Sequence, residues 1–219
     1  MPKTERRADQ RAFRTKAAVK DAMLALLGRT EFEKITVASL CREAGIGRAT
    51  FYTHYDRLTD VLDELGDDAI QATESGPENP WAGIAALALL MRSSENPEEL
   101  SPYMNLLPVC HRVADHPKYR ALFRDRMVSE RLLAQIYSRE KGRNIADMTR
   151  DYGLTEEQAD KLFLFALTGA FAVNRSMDWK KDETWYGVQK VLLTFLSGGH
   201  DALERLRKPT GKQSDSAPE

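Results

Sequence analysis

The chain is poor in the features that mark most secreted, membrane-bound or catalytic proteins. It carries two cysteines, Cys41 and Cys110, in 219 residues. Two cysteines cannot staple a chain of this length, and they read as small core residues in a reducing, cytoplasmic compartment. The opening residues, Met1 to Arg14, are charged rather than apolar, so no secretory leader is read there. Long apolar runs are missing. The longest, around 82–91, falls far short of the roughly 20 residues that span a bilayer, and no membrane partner is expected. Alternating β-branched runs are absent too, while Ala, Leu, Lys, Arg and Glu dominate, so the chain reads as all-α. No internal repeat stands out. No nucleophile–base pair, metal-ligand motif or phosphate-cradling loop is legible, so no enzyme, metal or cofactor is expected.

Overall charge is also nearly absent, at a formal −1. Its distribution is uneven. Through Arg57 there are twelve Lys/Arg against seven Asp/Glu, which leaves the remainder of the chain at −6. A basic head on an acidic body fits a protein that meets a polyanion with one end. Hydrophobic residues make up 42%, enough to bury a real core.

The chain divides as follows. Residues 1–12 read as a flexible basic N-terminus, 13–57 as a small helical head and 58–74 as a connecting helix. Residues 75–199 read as a larger helical body, and 200–219 as a mostly disordered tail. In the head, Phe13, Ala17, Ala18, Ala22, Leu24 and Leu27 recur at helical spacing. Phe32 and Ile35 are placed to plug the core below that helix. Thr36 is a good N-cap for a helix to about Ala44, followed by Gly45 where a left-handed residue is wanted. A second short helix is predicted over Arg48–Tyr55, and a fourth, capped by Asp56 or Thr59, to about Thr73. The stretch 75–80, Ser-Gly-Pro-Glu-Asn-Pro, is a breaker. Beyond it the pattern predicts helices over Trp81–Arg92, Glu98–Ala114 and Pro117–Glu140. A loop is expected within 141–153, then a strongly apolar helix from Thr155 to about Met177. A last helix is expected over Glu183–Ser197, stopped by Gly198–Gly199.

The informative block runs from Thr36 to Tyr55. Two short helices flank a glycine turn, which is the helix-turn-helix arrangement. Val37, Leu40, Ile46, Phe51 and Tyr55 supply its apolar face, and small Ala44 lets the helices approach. The other face of the second helix carries Arg48, Thr50, Tyr52, Thr53 and His54. These are donors, hydroxyls and an aromatic, the types that reach phosphates and base edges in a major groove. The block resembles the DNA-binding domain of the tetracycline-repressor (TetR/AcrR) family. The resemblance rests on Thr36–Val37, Ala44–Gly45–Ile46, Ala49–Thr50–Phe51–Tyr52 and Tyr55, and extends from about Arg14 to Leu62. Three positions depart from the family pattern. Gly47 stands where serine is common, Leu58 where lysine is common, and Glu31 where glycine is frequent.

The resemblance implies roles residue by residue. Thr36 and Arg57 would meet phosphate. Arg48 and Thr50 would contact bases or phosphate early on the recognition helix. Ala49 would meet a thymine methyl or permit close docking, and Tyr52 and His54 would touch backbone or bases. Arg7, Arg11, Arg14 and Lys16 would steer or grip the flanking groove. Phe51 and Tyr55 read as core. The resemblance also implies a homodimer on an inverted-repeat operator in double-stranded DNA. The expected interface uses Leu162, Ala166, Gly169 and Ala170 on one helix, and Val188, Val191, Leu192 and Phe195 on the last. A small-molecule effector would bind among the body helices. Met91, Tyr103, Met104, Cys110, Phe123, Met127 and Phe163 are the soft or aromatic candidates. His111 and His116, with Cys110 and Asp115 nearby, are five apart and do not share a helix face, so they read as surface or core histidines. The expected activity is that of a repressor released by its effector. Two alternatives remain open at this point: a helical-bundle enzyme, and a protein-interaction adaptor that keeps the fold without operator binding.

Overall fold

The computed structural model describes residues 3–73, 80–93, 102–103 and 105–207. Among them every regular element is helical and none is a strand. The helices are α1 (Lys3–Leu27), α2 (Val37–Ala44), α3 (Arg48–Tyr52), α4 (Leu58–Gln71), α5 (Pro80–Ser93), α6 (Val109–Asp115), α7 (Arg126–Tyr152), α8 (Glu156–Ser176) and α9 (Glu183–Arg207). Short 3-10 turns cover Phe32–Lys34 and Arg120–Phe123. No described helix is long and apolar enough to cross a membrane.

The chain forms two compact units. The first takes Met1–Gly76, Pro108–Glu140 and Leu167–Lys180. Its core includes Met23 of α1, Leu40 of α2, Phe51 of α3 and Leu65 and Ile70 of α4, all fully buried. Burying each of these side chains contributes about 1.5–3 kcal/mol. Residues 108–140 add Cys110, Val113, Leu122 and Ile136 to the buried set. The second unit takes Pro77–Leu107, Lys141–Ala166 and Lys181–Glu219. There α5 packs along α9. Leu87, Met91, Met148, Phe163, Trp185 and Leu193 are among its buried side chains.

Several boundaries differ from the sequence-based ones, each for a physical reason. Helix α1 starts at Lys3, ten residues before Phe13. Between Pro2 and Gly28 nothing interrupts it, and Glu, Arg, Ala and Gln are good helix formers. Phe13 is 74% exposed rather than inward. Of the helix expected over 98–114, residues 98–101 and 104 lie outside the described residues, and α6 begins only after Pro108, which has no N–H to continue a helix through it. Pro117 opens no long helix. Instead α7 starts after Asp125, whose Oδ1 accepts from Val128 N at 3.0 Å. The loop expected in 141–153 is helical as far as Tyr152. Its buried stripe is Asn144, Met148 and Tyr152, and a polar residue on that stripe masks its period. Gly153, at φ 68°, ends the helix. Helix α9 continues through Gly198 and Gly199 to Arg207. The ring of His200 sits edge-on to Tyr152 at 5.1 Å, a packing contact just past the two glycines. The breaker residues 75–79, Met104 and the tail from 208 lie outside the described residues.

Candidate nucleic-acid interface

Helix α2 is set by its two ends. Thr36 is extended, and its Oγ1 accepts from Ser39 N at 3.1 Å while Ser39 Oγ accepts from Thr36 N at 2.9 Å. This reciprocal cap satisfies two otherwise orphaned donors. At the other end Gly45 takes φ 66°, and Ile46 N returns to Cys41 O at 3.0 Å. A left-handed residue closes the helix there and turns the chain sharply toward α3. Gly47 is the N-cap of α3 and has no side chain to offer its N–H groups.

Helix α3 is five residues long, Arg48–Tyr52, and stops short of the predicted Tyr55. It is held by one inward side chain. Phe51 is fully buried, with its ring 5.4 Å from Tyr52 edge-on and 5.7 Å from Tyr55. Burying Phe51 obliges its helix neighbours to face out. Arg48, Ala49 and Thr50 are exposed, as is Tyr52 at 57%. Thr36 and Arg57 are exposed as well, and His54 is half-buried. Arg57 approaches Asp60 at 3.6 Å, across a guanidinium that stays largely in solvent. Thr53 turns its hydroxyl back to Ala49 O at 3.0 Å.

Tyr55 ends the segment as core, 4% exposed, and is the point where α3 is tied to the rest of the unit. Its hydroxyl donates to Glu64 Oε2 at 2.8 Å. Glu64 Oε1 also receives Lys16 Nζ at 2.5 Å, and Lys20 pairs with Asp68. Burial, and then the Glu64 hydrogen bond, raise the Tyr55 phenol above its ordinary range. Burial pushes the Glu64 carboxyl up, but hydrogen bonds from Lys16 and Tyr55 and the charges of Lys16 and Lys20 bring it below its ordinary value. Lys16 is therefore an internal tie. Its reach toward a flanking groove, expected from the sequence, is taken up by Glu64.

A second set of ties holds this region to residues 108–140 of the same unit. Phe32 N donates to Asp125 Oδ2 at 2.8 Å, and Arg124 Nη1 donates to Gly28 O at 2.8 Å. Arg131 forks onto Asp63 of α4, both distances 2.5 Å, and Gln135 Nε2 donates to Asp63 O at 3.0 Å. Arg112 Nε donates to Thr73 O at 3.0 Å. The role of Asp125 was not read from the sequence. An Asp three residues before Val128 is a helix-start signal, but its second bond, to a residue 93 positions away, leaves no local trace.

The residues expected to line an effector cavity are divided. Cys110, Phe123 and Met127 belong to the first unit, and Met91, Tyr103 and Phe163 to the second. Tyr103 and Met127 are exposed at 42% and 41%, while the other four are buried. Met104 lies outside the described residues. Burial pushes the Cys110 thiol up to about 12, and burial raises that of Cys41 although Arg48 acts against it. Both are thus poor thiolates. His111 is buried and exchanges a hydrogen bond with Asn174 at 3.1 Å. Among the described residues no three His, Cys, Asp or Glu side chains gather as a metal site.

The residues expected at a dimer interface are outward or half-buried. Helix α8 buries Ala159, Phe163, Leu167, Phe171 and Asn174 in its own chain. Leu162, Ala166 and Ala170 are half-covered, and Gly169 is exposed. Helix α9 buries Trp185, Gln189 and Leu193. It leaves Gly187, Val191, Phe195 and Gly198 exposed at helical spacing, with Val188 and Leu192 half-buried. Val191 and Phe195 are 69% and 68% exposed, and Phe165 on α8 is 62% exposed.

No family model matches the chain, and no curated protein and no solved structure matches it.

Proposed function

We propose that the chain is a homodimeric, sequence-specific DNA-binding regulator of the tetracycline-repressor type, with α2 and α3 as its helix-turn-helix. The observation that carries this reading is the division of α3. Phe51 is fully buried, while Arg48, Ala49, Thr50 and Tyr52 stand exposed beside it. A short helix that commits one aromatic to the core and shows a guanidinium, a methyl, a hydroxyl and a phenol suits a major groove. Arg reads guanine, a methyl meets thymine, and hydroxyls reach phosphate or base edges. Thr36 at the start of α2 and Arg57 ahead of α4 supply phosphate contacts on either side.

A single recognition helix of this size gives little affinity, and two are needed on successive half-sites. The row Gly187, Val191, Phe195 and Gly198 supports a second copy as partner. Large apolar side chains at such exposure on one helix face mark an association surface, and the glycines beside them let a partner helix approach.

The ties of α4 support a repressor released by an effector. On one side Glu64 and Asp68 hold it to α1, and on the other Asp63, with Thr73 O just past its end, ties it to residues 108–140. A ligand that favours one arrangement of those residues would move α4 and change the spacing of the two heads, lowering affinity for a fixed operator. Selection of the purified protein on random duplex DNA tests the reading. An inverted-repeat consensus is expected. Retention without any consensus contradicts it.

A further inference from the structure

The first unit carries a second concentration of positive charge, apart from α3. A cleft of about 700 Å³ is lined by Arg120, Arg124, Arg126, Arg175 and Lys180, together with Phe123, Trp179 and the single carboxylate Asp178. Two carboxylates answer the five cations. Glu130 accepts from Arg126 at 2.9 Å and lies 3.4 Å from Arg175, and Asp178 lies 3.7 Å from Lys180. Arg120 and Arg124 have no carboxylate partner among the described residues. Arg124 spends one N–H on Gly28 O and keeps the rest of its fork.

Beneath the charge lies an aromatic wall. Trp179 meets Phe123 at 4.5 Å and Phe171 at 5.2 Å between ring centroids. Trp179 is 7% exposed, yet its Nε1–H has no acceptor among the described residues. A buried donor without an acceptor is costly. Asp178 and Trp179 also hold left-handed backbone, φ 52° and 54°, which non-glycine residues seldom adopt. That strain sits at the cleft and nowhere else among the described non-glycine residues. Strained backbone of this kind gathers at ligand-binding positions.

We propose that this cleft binds a small organic polyanion with an aromatic body. The guanidinium forks recognise planar oxyanions in pairs. The ring edges of Phe123 and Trp179 that line the cleft take the apolar body. The volume fits a metabolite-sized ligand. A DNA backbone would use the cations alone and leave the recessed rings idle. The site stands on its own residues and does not depend on operator binding.

Pyrene tetrasulfonate is a fluorescent aromatic polyanion and serves as the probe. It is titrated by fluorescence anisotropy, at constant ionic strength, against the full chain. The expected result is saturable binding of one probe per chain. Arg120→Ala with Arg175→Ala, checked for native helicity by circular dichroism, weakens it by at least about tenfold, while Arg48→Ala on α3 changes it by less than about twofold. Inorganic tripolyphosphate, which has no ring, competes at least about tenfold less well. Absence of saturable binding, sensitivity to Arg48 in place of Arg120 and Arg175, or equal competition by tripolyphosphate overturns the proposal.

Discussion

Tyr55 donates its phenolic hydrogen to Glu64 at 2.8 Å, and Glu64 in turn receives Lys16 of α1. One carboxylate on α4 thereby fixes the chain just past α3. Tyr55→Phe keeps the ring in the core and removes only the hydroxyl. The loss of a hydrogen bond to a charged acceptor, partly open to water, is expected to cost about 1–2 kcal/mol. Urea denaturation measures it, and an unchanged midpoint would show that the tie carries no stability.

The same carboxylate sets a pH dependence. Glu64 titrates below its ordinary value of 4.5 in the folded protein. A depressed carboxyl contributes stability that is fully present above the unfolded pKa and is lost as pH falls through the folded one. Wild type is therefore expected to exceed Glu64→Gln in stability near neutrality. The gap should close as pH drops below about 4.5. Thermal melts of the two proteins across that window check the sign, and a gap that widens on acidification contradicts it.

Asp125 holds two elements with one carboxylate: Oδ1 caps α7 at Val128 N, and Oδ2 holds Phe32 N ahead of α2. Asp125→Ala is expected to destabilise by about 1–2 kcal/mol from the lost cap. It should also speed amide exchange at Phe32. Hydrogen exchange resolves the two effects, because loss of the cap alone would leave Phe32 as protected as before.

How much of this was legible in the sequence depended on the range of the interaction. The Thr36 cap, the left-handed Gly45 and the inward Phe51 and Tyr55 all follow from neighbours within a few residues. The all-helical class follows from composition. What escaped was long-range. Lys16 reads locally as one more basic residue of α1, and only folding brings Glu64, 48 residues away, to its side. Asn144 hid a buried stripe, and Gly198–Gly199 read as a stop although the helix runs on to a packed His200. Arg120 and Arg175 meet at one cleft from 55 positions apart, which no local pattern encodes.

Gly45 offers a backbone test. At φ 66° a side chain costs about 1 kcal/mol relative to glycine. Gly45→Ala is expected to show that loss in denaturant, and Gly45→Asn less of it, since Asn tolerates the left-handed region better. Equal stability of all three proteins would mean the turn is not held in this conformation.

Val191→Asp with Phe195→Asp places two charges on the exposed face of α9. If that face joins two copies, the double variant is expected to be a folded monomer where the wild type is a dimer. Sedimentation velocity with circular dichroism measures both properties. A wild-type monomer, or a variant that remains dimeric, removes the proposed interface.

Whether α3 reads DNA is measured by comparing wild type with Arg48→Ala/Tyr52→Ala on the duplex that wild type selects. Both side chains are exposed, and the Tyr52 ring meets the core edge-on at Phe51, so circular dichroism checks that the variant is folded. Two lost contacts at about 1–3 kcal/mol each predict a fall in affinity of about thirtyfold or more. Equal affinity of the two proteins for that duplex would contradict the account.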